Sequence, residues 1–233
     1  MRHEGARAGP AQDAVRRGER VFATLVSMLQ DTLFAAGEQV VLRPVSEGLV
    51  RRTLGQGAWL DLRPGWVGGA GELFCRLERA VPWKAERRLM YERIVDVPRL
   101  SSFYERDDAL PDPAVAEMRS VLSGYYAAEI GEPLETVGLC LYRDGDDSVA
   151  WHGDRIGRAS AEDTVVAIVS LGATRRFLLR PRGGGHARAL QVSAGDLLVM
   201  GGSCQRTWDH AVPKSRRATG PRISLQFRPS GVR

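Results

Sequence analysis

His152-Gly153-Asp154, followed by His210 and then by the segment RISLQFR (Arg222 to Arg228), carries residue types from which a metal site can be built. Residues two apart on a β-strand point to the same face, so His152 and Asp154 are expected to project together from one strand. Two imidazoles and one carboxylate form a 2-His-1-carboxylate set, which suits Fe(II) and leaves positions open for a chelating co-substrate and dioxygen. Taken singly, each of the three is more often a turn, loop or hydrogen-bonded surface residue. Their weight comes from RISLQFR. Arg222, Ser224, Gln226 and Arg228 alternate there with Ile223, Leu225 and Phe227, which on a strand separates a polar face from an apolar one. Inward guanidiniums are costly to bury unless they meet anions, and the planar fork of arginine matches a carboxylate. A dicarboxylate beside the metal satisfies both arginines. Cys140 and Tyr142 share a strand face upstream, and the Tyr142 hydroxyl can donate to the same ligand.

These groups need a scaffold of short strands. From Thr136 onward the chain shows short apolar runs broken by Gly and Pro and no long helical pattern. That predicts a mainly β protein with flanking helices (α+β), its core a double-stranded β-helix, the jelly roll of cupin-like proteins. Gly71 to Ala80 and Pro113 to Gly131 read as helices from the spacing of their apolar residues. Arg51 to Asp61 reads as a strand, and Gly183-Gly184-Gly185 as a hairpin turn, since no Lys-Ser/Thr follows to make a phosphate loop. Residues 1–40 are expected to form an N-terminal extension, disordered in part with an amphipathic helix over 14–36, and 41–229 the catalytic domain.

Five blocks together resemble a known family: YRDGDDSVAWHGD (Tyr142 to Asp154), VVAIVSLG (Val165 to Gly172), GDLLVMGG (Gly195 to Gly202), WDHAVPK (Trp208 to Lys214) and RISLQFR. In this order, and with PWKAERRLMYERIVDVPRL (Pro82 to Leu100) upstream, they are similar to the AlkB-type 2-oxoglutarate, Fe(II)-dependent dioxygenases. The resemblance implies oxidative dealkylation of N-alkylated bases in DNA or RNA, with Fe(II), 2-oxoglutarate and dioxygen. It implies that His152, Asp154 and His210 bind iron, that Arg228 pairs with the C1 carboxylate of 2-oxoglutarate and Arg222 with C5, and that Tyr142 adds a hydrogen bond. It further implies a nucleotide-binding lid over Arg87 to Arg99, making Tyr91 and Arg99 substrate-binding candidates. Cys140 and Ser224 stand where the family usually has asparagine, and Gln226 where it has threonine. Ile156 replaces an acidic residue that contacts the base in many relatives. With no acceptor at Ile156, discrimination by shape and stacking is expected.

Charge and cysteine usage fit this reading. The net charge of +5 conceals a gradient: from Trp151 onward 14 Lys/Arg face 5 Asp/Glu. Arg175, Arg176, Arg180, Arg182 and Arg188, with Lys214, Arg216 and Arg217, are candidate phosphate contacts. Cys75, Cys140 and Cys204 are odd in number and scattered, against a disulfide framework and for a reducing, cytoplasmic compartment. Val21 to Ala36 is too short and too polar for a membrane span, and a monomer is expected. The pattern leaves two alternatives: a 2-oxoglutarate oxygenase acting on protein or small molecules, and a nucleic-acid-binding jelly roll without turnover.

Overall fold

Period-2 alternation along the second half of the chain produces strands that bury one face or both. A computed structural model describes residues 38–90, 93–216 and 220–232, with backbone only at 88–90 and 93–95. Tyr91, Arg217 and the expected helix over 14–36 lie outside the described residues. In chain order, the first half holds β1 (Val41–Leu42), β2 (Val50–Gly55), β3 (Ala58–Arg63), β4 (Val67–Gly68), α1 (Ala70–Ala80), β5 (Lys84–Met90), β6 (Arg93–Tyr104), α2 (Pro113–Tyr125) and α3 (Ala127–Ile130). Then come β7 (Thr136–Tyr142), β8 (Val149–His152), β9 (Val166–Gly172), β10 (Arg175–Pro181), β11 (Arg188–Val192), β12 (Leu197–Gly201), the short helix α4 (Cys204–Thr207), β13 (Trp208–Val212) and β14 (Arg222–Arg228).

Two sheets form the jelly roll, ordered β2-β3-β12-β9-β14-β7-β6-β5 and β11-β10-β13-β8. Their pairings are antiparallel. Strand β14 lies inside the larger sheet, and its alternation is as expected. Ile223, Leu225 and Phe227 are fully buried with Val137, Leu139, Leu141, Val169 and Leu171 in a core that also takes Leu73 and Leu77 of α1 and Val115, Met118 and Leu122 of α2. The opposite face turns toward the smaller sheet. There the register aligns Arg222 with Tyr142, Ser224 with Cys140 and Gln226 with Gly138, and continues to Ser101 beside Cys140 and Phe103 beside Gly138.

Three local readings are corrected. The single strand expected over Arg51 to Asp61 is the β2–β3 hairpin, turned at Gln56 and Gly57, both with positive φ. The helix expected from Pro113 to Gly131 is capped by Asp112, which accepts from the Ala114 N–H, but breaks at Tyr126. Tyr126 is buried, and its hydroxyl donates to Asp61; seating that ring in the core redirects the chain before α3.

The third concerns Arg175, expected to contact phosphates. It is 2% exposed, and its guanidinium donates to the carbonyls of Asp144, Asp147 and Pro213, each at 2.8 Å. It ties the β7–β8 loop to the segment after β13. Arg175→Ala is therefore expected to cost about 3–5 kcal/mol, because three carbonyls lose a charged donor inside the protein. Exposed Arg176→Ala should stay within about 0.5 kcal/mol of the parent. Urea unfolding midpoints of the two variants measure the difference.

Candidate metal centre and co-substrate pocket

Antiparallel pairing of β13 with β8 sets His210 directly opposite His152, with ring centroids 4.2 Å apart. Asp154 arrives differently from the sequence expectation: β8 ends at His152, and Asp154 follows in a loop. Two contacts with α4 place it. A Cβ on Gly153 would lie 2.6 Å from the Gln205 carbonyl oxygen, so only glycine lets the chain pass so close. The Asp154 N–H then donates to Gln205 Oε1 at 2.9 Å. One ligand atom from each of His152, Asp154 and His210 lies within 4.8 Å of the others.

The protonation states suit a divalent metal. His152 Nδ1 sits 2.8 Å from the Ala150 carbonyl. A carbonyl can only accept, so Nδ1 carries a proton there and Nε2 is the nitrogen left to face the metal. Burial, with His152 beside it and against the pull of Asp154, lowers His210 to about 3, leaving it neutral. Burial alone would raise Asp154, but Arg228 and the two imidazoles hold it down at about 2. A neutral His210 and an ionised Asp154 can thus coordinate without losing protons, and two imidazoles with one carboxylate fit Fe(II).

The arginines of β14 take different partners. Arg228 places Nε and Nη2 each 2.9 Å from Asp154 Oδ2, so it orients the only anionic member of the triad. Arg222, 1% exposed, donates from Nε to Ser170 Oγ at 2.9 Å, while its buried Nη1 has no hydrogen-bond partner among the described residues. Its guanidinium carbon lies 5.2 Å from the Tyr142 ring centroid. Burial, with Cys140 beside it, pushes the Tyr142 hydroxyl up to about 12 despite the nearby arginines, so it remains a donor. An open N–H on a buried cation costs about 1–3 kcal/mol or more, and a carboxylate of a bound acid removes that cost. The residues therefore fit 2-oxoglutarate as well as iron.

Gln226, Ser224 and Cys140 form one chain of contacts. Gln226 Nε2 donates to Ser224 Oγ at 2.7 Å and to the Ser224 carbonyl at 2.9 Å; Cys140 Sγ lies 3.9 Å from Gln226 Oε1. Gly138 makes room for this arrangement, because a Cβ there would stand 2.9 Å from Gln226 Oε1 and 3.0 Å from Arg228 Nη1. All these side chains line one cavity of about 710 Å³ that also holds the triad. Arg99 lines it from β6, and Ile156 from its rim, 68% exposed. Sequence reasoning missed Gln205 and Gly138. Gln205 sits in a one-turn helix, too short for a periodic signal, and a lone glycine in a strand does not reveal which side chain crosses it.

Ala substitution of His152, Asp154 or His210 is expected to abolish Mn(II) binding, used as an Fe(II) substitute, whereas exposed His186→Ala leaves it unchanged. Gln205→Ala should weaken metal binding by about 10–100-fold, the range for loss of a group that orients a ligand. Titration followed by electron paramagnetic resonance reads all five variants; equal losses at His186 and His210 overturn the assignment.

Comparison with known proteins agrees with this geometry. Residues 83–228 match the family model of the 2OG-Fe(II) oxygenase superfamily. The alpha-ketoglutarate-dependent dioxygenase alkB homolog 3 of Bos taurus is 31% identical over 188 residues, covering 72% of this chain and 64% of that protein. DNA oxidative demethylase ALKBH2 of Arabidopsis thaliana is 31% identical over 150 residues, 54% of this chain and 45% of its own. The chain thus spans less than two thirds of the length of these curated relatives. The solved structure of OsALKBH1 matches with a TM-score of 0.55 at 16% identity, over 77% of this chain and 99% of that one, a likeness of fold. With its triad, its jelly roll and the family match in agreement, the chain belongs to the 2OG-Fe(II) oxygenase superfamily, with AlkB-type dioxygenases among its relatives.

Proposed function

We propose that this protein oxidatively dealkylates N-alkylated bases in DNA, with RNA as a second substrate class. The observation that carries the reading is the shared cavity. It joins the triad and the buried Arg222 donor to a rim where Phe103 and Ile156, 39% and 68% exposed, face solvent. Relatives named alkB homolog 3 and DNA oxidative demethylase support it.

His152, Asp154 and His210 would hold Fe(II). Arg222, Tyr142 and Arg228 would hold the two carboxylates of 2-oxoglutarate, with Arg228 keeping its bond to Asp154. When bound, iron with 2-oxoglutarate and dioxygen supplies the oxidising chemistry, releasing succinate and carbon dioxide. Ile168, Phe177 and Val212 give the cavity apolar walls beside the triad, where charge interactions are stronger than in bulk water. The target base must leave its stack to bring the alkyl carbon there. A hydroxylated N-alkyl carbon is a hemiaminal, which loses aldehyde and restores the base. Exposed Arg176, Arg182, Arg188, Lys214 and Arg216 supply phosphate contacts without base information. No helix among the described residues is long and apolar enough to cross a membrane. The three free cysteines accord with a reducing compartment, and we place the protein in the cytoplasm as a monomer.

The direct test offers alkylated oligonucleotides with Fe(II), ascorbate and 2-oxoglutarate, scoring aldehyde and succinate together by mass spectrometry. Succinate without aldehyde from any oligonucleotide points to a protein or small-molecule substrate. Arg222→Ala is expected to raise the 2-oxoglutarate requirement steeply, since it removes a buried charge pair worth about 2–5 kcal/mol, with Mn(II) affinity little changed. Arg228→Ala should weaken both, because Asp154 loses its orienting cation. Loss of metal in the Arg222 variant with unaltered 2-oxoglutarate dependence contradicts the assignment.

Nucleic-acid binding has its own signature. Affinity for an unmodified single strand should fall linearly with log salt, at a slope of about −0.7 per phosphate neutralised. Arg176→Glu with Arg182→Glu should flatten that slope. Salt-independent binding excludes this surface as a phosphate track.

A further inference from the structure

We infer that Glu86 is the base-selecting residue, its carboxylate accepting from the exocyclic amino group of a cationic, ring-N-alkylated cytosine or adenine. This rests on the dealkylation reading and specifies its substrate. The charged residues lining the cavity are Lys84, Glu86, Arg99, Asp154, Arg222 and Arg228. Asp154 belongs to the triad and to Arg228, which leaves Glu86 as the one carboxylate of this lining outside the metal centre. Its position is built into the sheet. Lys84 is in register with Ser101 on β6, Ser101 with Cys140 on β7, and Cys140 with Ser224 on β14. At the irregularity between Ala85 and Arg87, Glu86 turns to the cavity and accepts a hydrogen bond from the Ser101 hydroxyl. Three strand spacings separate β5, which carries Glu86, from β14, about 14 Å, so the carboxylate stands on the wall away from the arginines of β14, with Arg99 of β6 acting on it electrostatically.

The chemistry of the bases makes this placement selective. Alkylation at N3 of cytosine or N1 of adenine gives a cation whose charge is shared with the exocyclic amino group. That group donates hydrogen bonds, whereas thymine presents a carbonyl oxygen at the same position. A carboxylate therefore gains a charge-assisted bond with the first class and confronts lone pairs in the second. One residue both attracts and rejects, the two routes to specificity. Ile156 at the rim has no acceptor; the carboxylate comes instead from β5, and the shape and stacking expected from Ile156 act beside it.

The test compares single-stranded oligonucleotides carrying 3-methylcytosine or 3-methylthymine, using the full chain with Fe(II) and 2-oxoglutarate. Wild type is expected to prefer 3-methylcytosine in kcat/KM. Glu86→Gln, nearly isosteric, should lower the preference about tenfold or more, the size of one lost charge-assisted hydrogen bond. Ser101→Ala removes the tie between β6 and β5 but keeps the carboxylate, and should retain most of the preference. An unchanged ratio in Glu86→Gln, with Mn(II) affinity intact, overturns the inference. So does an equal collapse in Ser101→Ala, which would make Glu86 a hairpin tie. A wild type that dealkylates neither oligonucleotide, while converting 2-oxoglutarate with another substrate, overturns the dealkylation reading itself.

Discussion

A guanidinium held between two sheets must find acceptors, and β14 places two of them there. Arg228 finds Asp154, and in doing so fixes the carboxylate that completes the triad and holds it ionised. Arg222 donates through Nε to the neutral Ser170 hydroxyl and keeps a buried Nη1 open among the described residues. The same strand therefore orients one ligand of the metal and reserves a site for an acid beside it. Its other face, Ile223, Leu225 and Phe227, lies in the core with the helices. That anchorage allows the charged face to stay rigid, since moving it would disturb fully buried packing.

Around this strand the site is assembled from parts of unequal stiffness. His152 and His210 are fixed by strand pairing and face each other by register. Asp154 depends on a loop, and the loop depends on Gln205 and on the absence of a side chain at Gly153. Phe177 stacks on His210 with centroids 5.5 Å apart, holding the ring from the smaller sheet. The neutral state of His210 follows from burial, so the apolar lining and the metal chemistry have one cause.

The basic half of the chain divides into two kinds of arginine. Arg175 is a structural fastener for loops, and Arg180 lies over the Trp151 ring at 4.2 Å. Arg176 and Arg182 remain exposed. Net charge is indifferent to this division, although an interior guanidinium contributes stability and a surface one contributes to encounter with an anionic partner.

What the sequence by itself determined was local. The alternation of Arg222 to Arg228, the apolar stripes of α1 and α2 and the Gly183–Gly185 turn follow from the repeats of strand, helix and turn, which act over a few residues. The triad was legible because its three residue types make one recognisable donor set. Tertiary structure decided the rest. Whether Arg175 meets phosphate or three carbonyls depends on loops more than 25 residues away in sequence, and Asp154 is placed by a helix 51 residues on. Glu86 reaches the cavity only because β5 pairs with β6, and β6 with β7. Hydrogen bonds and ion pairs between distant segments have no period in the chain. Their partners are chosen by which backbones the sheets bring within about 3 Å, and that choice exists only once the sheets have formed.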